Sequence, residues 1–351
     1  SMGRQNWFDA VGAEHAHVRA HVGVFDQSSF AKYELSGPGA AAALLRICAG
    51  NVGRPVGRVT YTQLLNTRGG IEADLTVARL AEDRFYIVTG TGFRAHDLDW
   101  IASHLPREGC TLRDVTEDFG TLSLMGPKAR DVLAAVTAEN VSNTAFPFGS
   151  VQEISIAGTK VRALRLTYVG ELGWELHVPI AAIGEVYDAL MVAGAAHQLR
   201  PVGYRALESL RLEKGYRAWS SDITPNDTPM EAGLGWAVRK TNDDFIGRAP
   251  LQAAGPLTKR FAGFTLDEPA VVLVGRETIL RNGVPVGYLT SGGYGYTIGK
   301  SVGYGYVRDS GGVSDEYLTS GNYSLVVASE IYPAQITLEA PFDPANTRVR
   351  A

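Results

Sequence analysis

Leu35-Ser36-Gly37-Pro38, ahead of an alanine- and leucine-rich stretch, returns further along the chain as Leu124-Met125-Gly126-Pro127, ahead of residues 128–133 of the same apolar texture. Each copy reads as a strand, a Gly-Pro turn and a helix, and each helix needs a sheet face to cover its apolar side. The echo predicts two related α+β units. Around it, Arg84–Thr89 alternates as a strand, residues 162–168 and 174–178 read as two strands joined by a glycine turn, and 204–214 reads as a helix. That helix has Leu207 and Leu210 on one side and Gly215 as its stop. After Gly247 the texture changes. Arg281-Asn282-Gly283-Val284 is a hairpin signal, because Asn-Gly supplies the positive φ angles of a type I′ turn. Short apolar stretches at 286–290, 302–307, 323–327 and 334–338 predict a small all-β barrel. The boundary falls near 253–259, so that 5–252 hold the α+β units and 258–351 the barrel. Ser1-Met2 and the next two residues read as a tag and linker, 1–4, so the chain could be an excised domain.

The chain has 351 residues, 45% of them hydrophobic and 20% charged, which is ample for more than one core; its 40 glycines fit turn-dense β architecture. A formal net charge of −4 gives no general attraction for nucleic acid or an anionic membrane. An anionic ligand must then meet local basic groups. No stretch approaches the length of a membrane span, and no signal-peptide pattern opens the chain. Cys48 and Cys110 are the two cysteines, with neither CxxC nor a Cys/His cluster. A disulfide framework and a structural zinc site are therefore not expected, and a reducing compartment is, either the cytoplasm or the mitochondrial matrix. His15, His17 and His21 share a helical stretch without a metal-binding pattern, and are expected on the surface.

Over 70–77 the alternation is clean: Ile71, Ala73, Leu75 and Val77 point one way, while Glu72, Asp74 and Thr76 point the other. Asp74 is thus displayed on a polar face, either a solvated sheet surface or the wall of a pocket. Tyr168 is expected to end one strand, and Gly170 and Gly173 let the chain turn back before Glu175. Ring and carboxylate then face one cleft; alternatively, Tyr168 and Trp174 are core aromatics and Glu175 a surface charge. The helix 204–214 carries Arg205, Glu208, Arg211, Glu213 and Lys214, which in isolation read as a solvated face laced by i,i+3 pairs. Gly292-Gly293-Tyr294-Gly295 reads as a barrel turn rather than a phosphate loop.

Three blocks in fixed order carry a family likeness: Arg68-Gly69-Gly70-Ile71-Glu72-Ala73-Asp74-Leu75-Thr76, Tyr168-Val169-Gly170-Glu171-Leu172-Gly173-Trp174-Glu175-Leu176, and Leu210-Arg211-Leu212-Glu213-Lys214-Gly215. With them the sequence resembles the folate-binding aminomethyltransferases over 6–350. The resemblance implies an α+β fold in which two interwoven α+β domains and a C-terminal β-barrel make a three-domain cloverleaf around a central folate channel. It also implies tetrahydrofolate as cofactor, Asp74 as catalytic aspartate, Tyr61 and Thr76 as folate contacts, and Glu175 as the carboxylate that grips the pterin beside Tyr168. At two further cofactor positions the sequence departs from the glycine-cleavage members, with Leu207 where they keep an arginine and Gly90 where they keep an asparagine. Arg205 would face elsewhere. These departures, together with Asn6-Trp7-Phe8, Phe25-Asp26-Gln27-Ser28-Ser29-Phe30 and Thr228-Pro229-Met230-Glu231-Ala232-Gly233-Leu234, look like the C-terminal, tetrahydrofolate-binding half of dimethylglycine and sarcosine dehydrogenases.

In that branch, the resemblance implies, a flavin domain oxidises an N-methylamine to an iminium whose one-carbon unit yields 5,10-methylenetetrahydrofolate. No GxGxxG opens a βαβ unit near the start of this chain, so no FAD site is expected in it. The flavin oxidoreductase would be a further domain or a separate subunit. Two other readings stay open: a stand-alone tetrahydrofolate-dependent methyltransferase (demethylase) with its own methyl donor, and a non-catalytic regulatory folate-binding module. A folate-binding branch that assists iron–sulfur proteins keeps a cysteine after Lys-Gly; here Lys214-Gly215 is followed by Tyr216.

Overall fold

A computed structural model describes residues 4–240 and 244–351; of the expected tag and linker at 1–4, residues 1–3 lie outside the described residues. The chain runs α1 (Phe8–Ala20), β1 (Gly23–Asp26), β2 (Ala31–Ser36), α2 (Ala40–Ile47), β3 (Val59–Leu65), β4 (Ile71–Ala81), β5 (Arg84–Thr89), α3 (Arg94–His104) and β6 (Thr111–Asp114). It continues with β7 (Phe119–Met125), α4 (Ala129–Val136), β8 (Val151–Ile156), β9 (Thr159–Leu164), β10 (Gly173–Pro179), α5 (Ile183–Gly194), β11 (Arg200–Pro201) and α6 (Tyr204–Glu213). After α7 (Arg248–Ala253) come β12 (Lys259–Leu266), β13 (Thr278–Arg281), β14 (Val284–Gly295), β15 (Lys300–Arg308), α8 (Asp315–Thr319), β16 (Tyr323–Val327) and β17 (Glu330–Thr337).

The Gly-Pro echo is two turns of the same kind, from β2 into α2 at Gly37 with φ +115°, and from β7 into α4 at Gly126 with φ +140°. A side chain at Gly126 would place its Cβ 2.4 Å from the His21 carbonyl oxygen, so glycine is required there for space as well as for φ. The two units interweave. One sheet has the order β11-β1-β7-β10-β9-β8 and the other β3-β4-β5-β2-β6, so the chain starts the first sheet with β1, builds the whole of the second, and returns. Helices α4 and α5 cover the outer face of the first sheet over Leu122, Leu124, Trp174 and Leu176. Helices α2 and α3 cover the outer face of the second over Leu35, Ala73, Leu75, Val77 and Ile87. The inner faces pack on each other through Val59, Ala78, Tyr86, Val88, Val151 and Leu164.

The alternation in β4 decides which way Asp74 points. A slip of one residue would drive it into the outer core and expose Ile71, Leu75 and Val77, at roughly 1.5–3 kcal/mol for each large apolar side chain. The strands β12-β15-β14-β13-β16-β17 close a barrel. Its Asn-Gly hairpin has φ +51° at Asn282 and +79° at Gly283, as a type I′ turn requires.

Two readings of the sequence need correction here. Gly292 to Gly295 lie within β14 rather than in a turn, and a Cβ on Gly292 would come within 2.6 Å of the Gly275 backbone nitrogen, so close approach of two chain segments explains the glycine. The helical run Ile180–His197 is 18 residues long with mean hydropathy 1.2, long and apolar enough by length and composition to cross a membrane. Its Val186 and Leu190 are wholly buried against the first sheet.

Candidate active site

The inner face of the second sheet gathers Tyr61, Gln63, Asp74 and Thr76, because the ladder pairs Tyr61 with Thr76 and Gln63 with Asp74. The pairing of Leu75 with Thr89 brings Gly90 alongside Asp74. Gln63 Nε2 donates to Asp74 Oδ1 at 3.0 Å, and the Tyr61 hydroxyl donates to the same carboxylate. Asp74 keeps part of its surface open but is closely enclosed. Burial pushes its pKa up to about 6, outweighing the hydrogen bonds from Tyr61 and Gln63 and the positive charge of Arg217, all of which pull it down. An ordinary aspartate, at about 3.9, is a feeble base near neutrality; this one exchanges its proton there. Burial and then the charge of Asp74 hold the Tyr61 phenol far above its usual range, so it stays a donor. Asp97 of α3, itself buried, adds a nearby negative charge; Thr89 Oγ1 donates to it at 2.5 Å and His96 Nδ1 lies 2.8 Å from it.

The facing wall is β10. Trp174, Leu176 and Val178 enter the outer core, so Glu175 and His177 point inward. His177 Nε2 lies 3.5 Å from Glu175 Oε2, and His177 Nδ1 lies 3.1 Å from the hydroxyl of Tyr86, a residue of β5. Tyr86 shares the inner face with Thr76 and Asp74 by the β4–β5 register. Asp74 and Glu175 therefore stand on facing sheet surfaces.

Tyr168 does not end a strand: β9 stops at Leu164, and Tyr168 lies in the bend beyond. Its ring stacks on Tyr216 at 5.9 Å, its hydroxyl donates to the Arg217 carbonyl at 3.0 Å, and it packs with buried Leu207 against Phe25 and Met125. Phe25 pairs with Ser123 and Ser123 with Glu175, so Tyr168 and Leu207 cover the same inner face as Glu175. Leu207 offers hydrocarbon, not charge. Arg205 lies elsewhere, its guanidinium 4.5 Å from the Trp7 ring.

Sequence reasoning missed four residues here. Arg217 has its guanidinium on the carbonyls of Gly215 and Ala232 and over the Phe261 ring, with its charge felt at Asp74 and Tyr61. It sits in irregular chain after α6, where no periodicity marks it. Trp236 stacks on Tyr61 at 5.6 Å and is 70% exposed, again outside any repeating pattern. Gln63 and His177 were within reach of the period-two rule, since each shares its strand face with a residue already singled out. A hollow of about 50 Å³ lies behind Arg217, walled by Lys214, Phe261 and Tyr304. A larger open one of about 390 Å³ is lined by Thr258, Lys259, Arg308, Asp309 and Ser310, and neither hollow includes Asp74 or Glu175.

The charges of α6 do not form one solvated face, although Arg205 is exposed and Glu208 half-buried. Arg211, Glu213 and Lys214 are buried, because α6 lies between α1 and the barrel strands β14 and β15. Arg211 does pair with Glu208 at 2.8 Å in i,i+3 fashion, but also with buried Asp222 at 2.9 Å. Glu213 takes Arg19 at 2.9 Å and His15 at 3.2 Å, so His15 is a core histidine rather than a surface one.

Residues 2–242 match the GCVT N-terminal domain, and 259–343 match the glycine cleavage T-protein C-terminal barrel domain. The mitochondrial sarcosine dehydrogenase of Mus musculus is 43% identical over 95% of this chain and 38% of its own length. The mitochondrial dimethylglycine dehydrogenase of Rattus norvegicus is 34% identical over all of this chain and 41% of its own. The chain thus spans about two fifths of these relatives. An aminomethyltransferase of Halothermothrix orenii is 33% identical over 89% of this chain and 87% of its own. The glycine cleavage system aminomethyltransferase T of Bartonella henselae superposes with a TM-score of 0.83 at 28% identity, covering 95% of this chain and 89% of that one. The interwoven α+β pair with its closing barrel is that architecture, and the chain belongs to the glycine cleavage T-protein, or aminomethyltransferase, family.

Proposed function

We propose that this chain binds a reduced folate between its two sheets and mediates transfer of a one-carbon unit to it, receiving that unit from an N-methylamine-derived iminium and releasing 5,10-methylenetetrahydrofolate. The observation that carries the reading is the pair of carboxylates on facing inner surfaces, one of them titrating near neutrality. The groups on these walls suit a reduced pterin: two carboxylates as acceptors, aromatic rings at Tyr61, Tyr168 and Trp236, and a buried polar atom without a partner at Gln63 Oε1.

The folate supplies two nitrogen nucleophiles that take up carbon at the formaldehyde level. Asp74 takes up the proton released there, and while ionised it stabilises a cationic donor. Glu175 presents two acceptors to paired N–H groups, worth roughly 1.5–3 kcal/mol for each charge-assisted bond. Tyr61, Thr76, Gly90, Tyr168 and Leu207 shape the wall, with Tyr61 and Gln63 orienting Asp74. The likeness to sarcosine and dimethylglycine dehydrogenases supports an iminium made by a flavin oxidoreductase, carried by more of the same polypeptide or by a partner subunit. Their mitochondrial setting supports a matrix location as one option.

Product identity tests the reading. With tetrahydrofolate and an N-methylene iminium, mass spectrometry should find 5,10-methylenetetrahydrofolate formed faster than in the absence of protein, and Asp74→Ala should bind folate while losing that acceleration. Formation of 5-methyltetrahydrofolate from a methyl donor by this chain alone would point to a methyltransferase instead; folate binding without any product would point to a regulatory module.

A further inference from the structure

His177 follows Glu175 on the inner face of β10 and is wholly buried. Three neighbouring side chains meet its imidazole. The Tyr86 hydroxyl from β5 and Thr121 Oγ1 from β7 each lie 3.1 Å from Nδ1. Nε2 faces Glu175 Oε2 at 3.5 Å, longer than a formed hydrogen bond, and is otherwise unsatisfied. Two cations also face the ring. Lys32 of β2 is held by the Ser28 and Phe119 carbonyls at 2.7 Å, and Arg162 of β9 is paired with Glu34 at 2.6 Å. Burial lowers the pKa of His177, so the ring is neutral and carries one N–H.

Where that proton sits follows from the neighbours. On Nδ1 it would leave the Nε2 lone pair aimed at a carboxylate oxygen. On Nε2 it faces Glu175, and Nδ1 is free to accept from the Tyr86 hydroxyl. The second tautomer satisfies both ends of the ring.

We propose that His177 is a positioning residue for Glu175: its Nε2–H, backed by Tyr86, aims the carboxylate at the ligand, and the long gap closes when the ligand is bound. The inference rests on the reading of Glu175 as the pterin-holding carboxylate. A carboxylate that accepts two N–H groups from one flat edge must lie in the plane of that edge, yet it turns freely about its last bond. One N–H from a ring packed between two sheets fixes that rotation and leaves lone pairs for the ligand. Such contacts are commonly slack before the ligand is in place. The row Tyr86, His177, Glu175 also crosses from one sheet to the other, so it sets the wall that carries Glu175 relative to the wall that carries Asp74.

The test pairs two readouts. The ring tautomer is read from ¹⁵N shifts of the imidazole nitrogens in the ligand-free protein, and affinity from calorimetry with 5-formyltetrahydrofolate, a stable reduced folate. The wild type should show the Nε2–H tautomer. His177→Leu, of similar bulk, should raise Kd about tenfold, the size of one hydrogen bond to a charged group, and raise KM for folate with kcat nearly unchanged. His177→Gln, which keeps a donor toward Glu175 and an acceptor toward Tyr86, should stay within about threefold of the wild type, a rescue that lost packing alone would not give. An Nδ1–H tautomer, or wild-type affinity in His177→Leu, overturns the proposal; if that variant fails to fold, the tautomer and His177→Gln still decide. A wild type that binds no reduced folate defeats the functional reading instead, and the tautomer alone then decides whether His177 addresses Glu175.

Discussion

Replacing Asp74 by Asn keeps the side-chain shape, leaves an oxygen to accept from Gln63, and removes the charge that the site resists. The folded-state pKa, about 6, lies above the unfolded value of 3.8. A carboxyl shifted upward contributes most stability when protonated in both states, below about pH 3.8, and that contribution is lost as pH rises through 6. At about 1.36 kcal/mol per pH unit, the displacement of roughly two units amounts to about 3 kcal/mol in all, an upper bound because the group is partly open. Of this, roughly 1.4 kcal/mol returns to the native protein between pH 8 and pH 5. Asn cannot titrate, so the stability of the wild type relative to Asp74→Asn should rise by up to that amount on acidification. Urea unfolding at the two pH values, followed by tryptophan fluorescence, reads the difference directly. If the two proteins change in parallel, Asp74 is an ordinary surface carboxylate and its place in proton transfer falls.

Removing the Tyr61 hydroxyl, which pulls the Asp74 pKa down, should move the acidic limb of the pH–rate profile upward by about half a unit to one unit in Tyr61→Phe; an unmoved limb would separate the two residues. Glu213 behaves in the opposite sense to Asp74. Burial pushes its pKa up, yet the hydrogen bonds and charges of His15 and Arg19 hold it down at about 2, so its contribution is present above about pH 4.5 and is lost as pH falls toward 2. Glu213→Gln should therefore be less stable than the wild type near neutrality but lose less stability over that window, as read by urea unfolding followed by circular dichroism, and Arg19→Met should cost about 3 kcal/mol, since Glu213 keeps His15 and Glu171 keeps Arg348. Gly126→Ala should destabilise by roughly 2–4 kcal/mol, whereas Gly158→Ala, with φ +77° but open space around it, should cost about 1 kcal/mol in urea titrations.

Much of the fold could be read from the sequence because it rests on local rules. The Gly-Pro echo marks two helix entries, Asn282-Gly283 marks a hairpin, and β5 lies where the alternation of 84–89 puts it. The same period of two showed that Asp74 points away from its apolar neighbours, but not what it faces, since that depends on a second sheet whose strands lie far away in the chain. The charges of α6 were misjudged for the same reason. A helix rich in Arg and Glu looks solvated until the long-range pairs Arg211–Asp222 and Glu213–Arg19 are known. Arg217 and Trp236 gave no local signal, as the first stands in irregular chain and the second in a single 3₁₀ turn, Gly235–Ala237, and each takes its meaning from distant partners.

The interweaving of the two sheets bears on how this protein can be made. Gly23 of β1 lies beside Met125 on one side and Arg200 on the other, so the first sheet cannot close until residue 201 has been synthesised. All strands of the second sheet fall within 31–114 and can assemble earlier. At about 5–20 residues per second, β1 waits roughly ten to thirty seconds on the ribosome with an open edge. A fragment ending between the strands at 114 and 119 would keep the second sheet whole and leave β1 without either neighbour, so the polypeptide cannot be cut there into two pieces that each mature unaided.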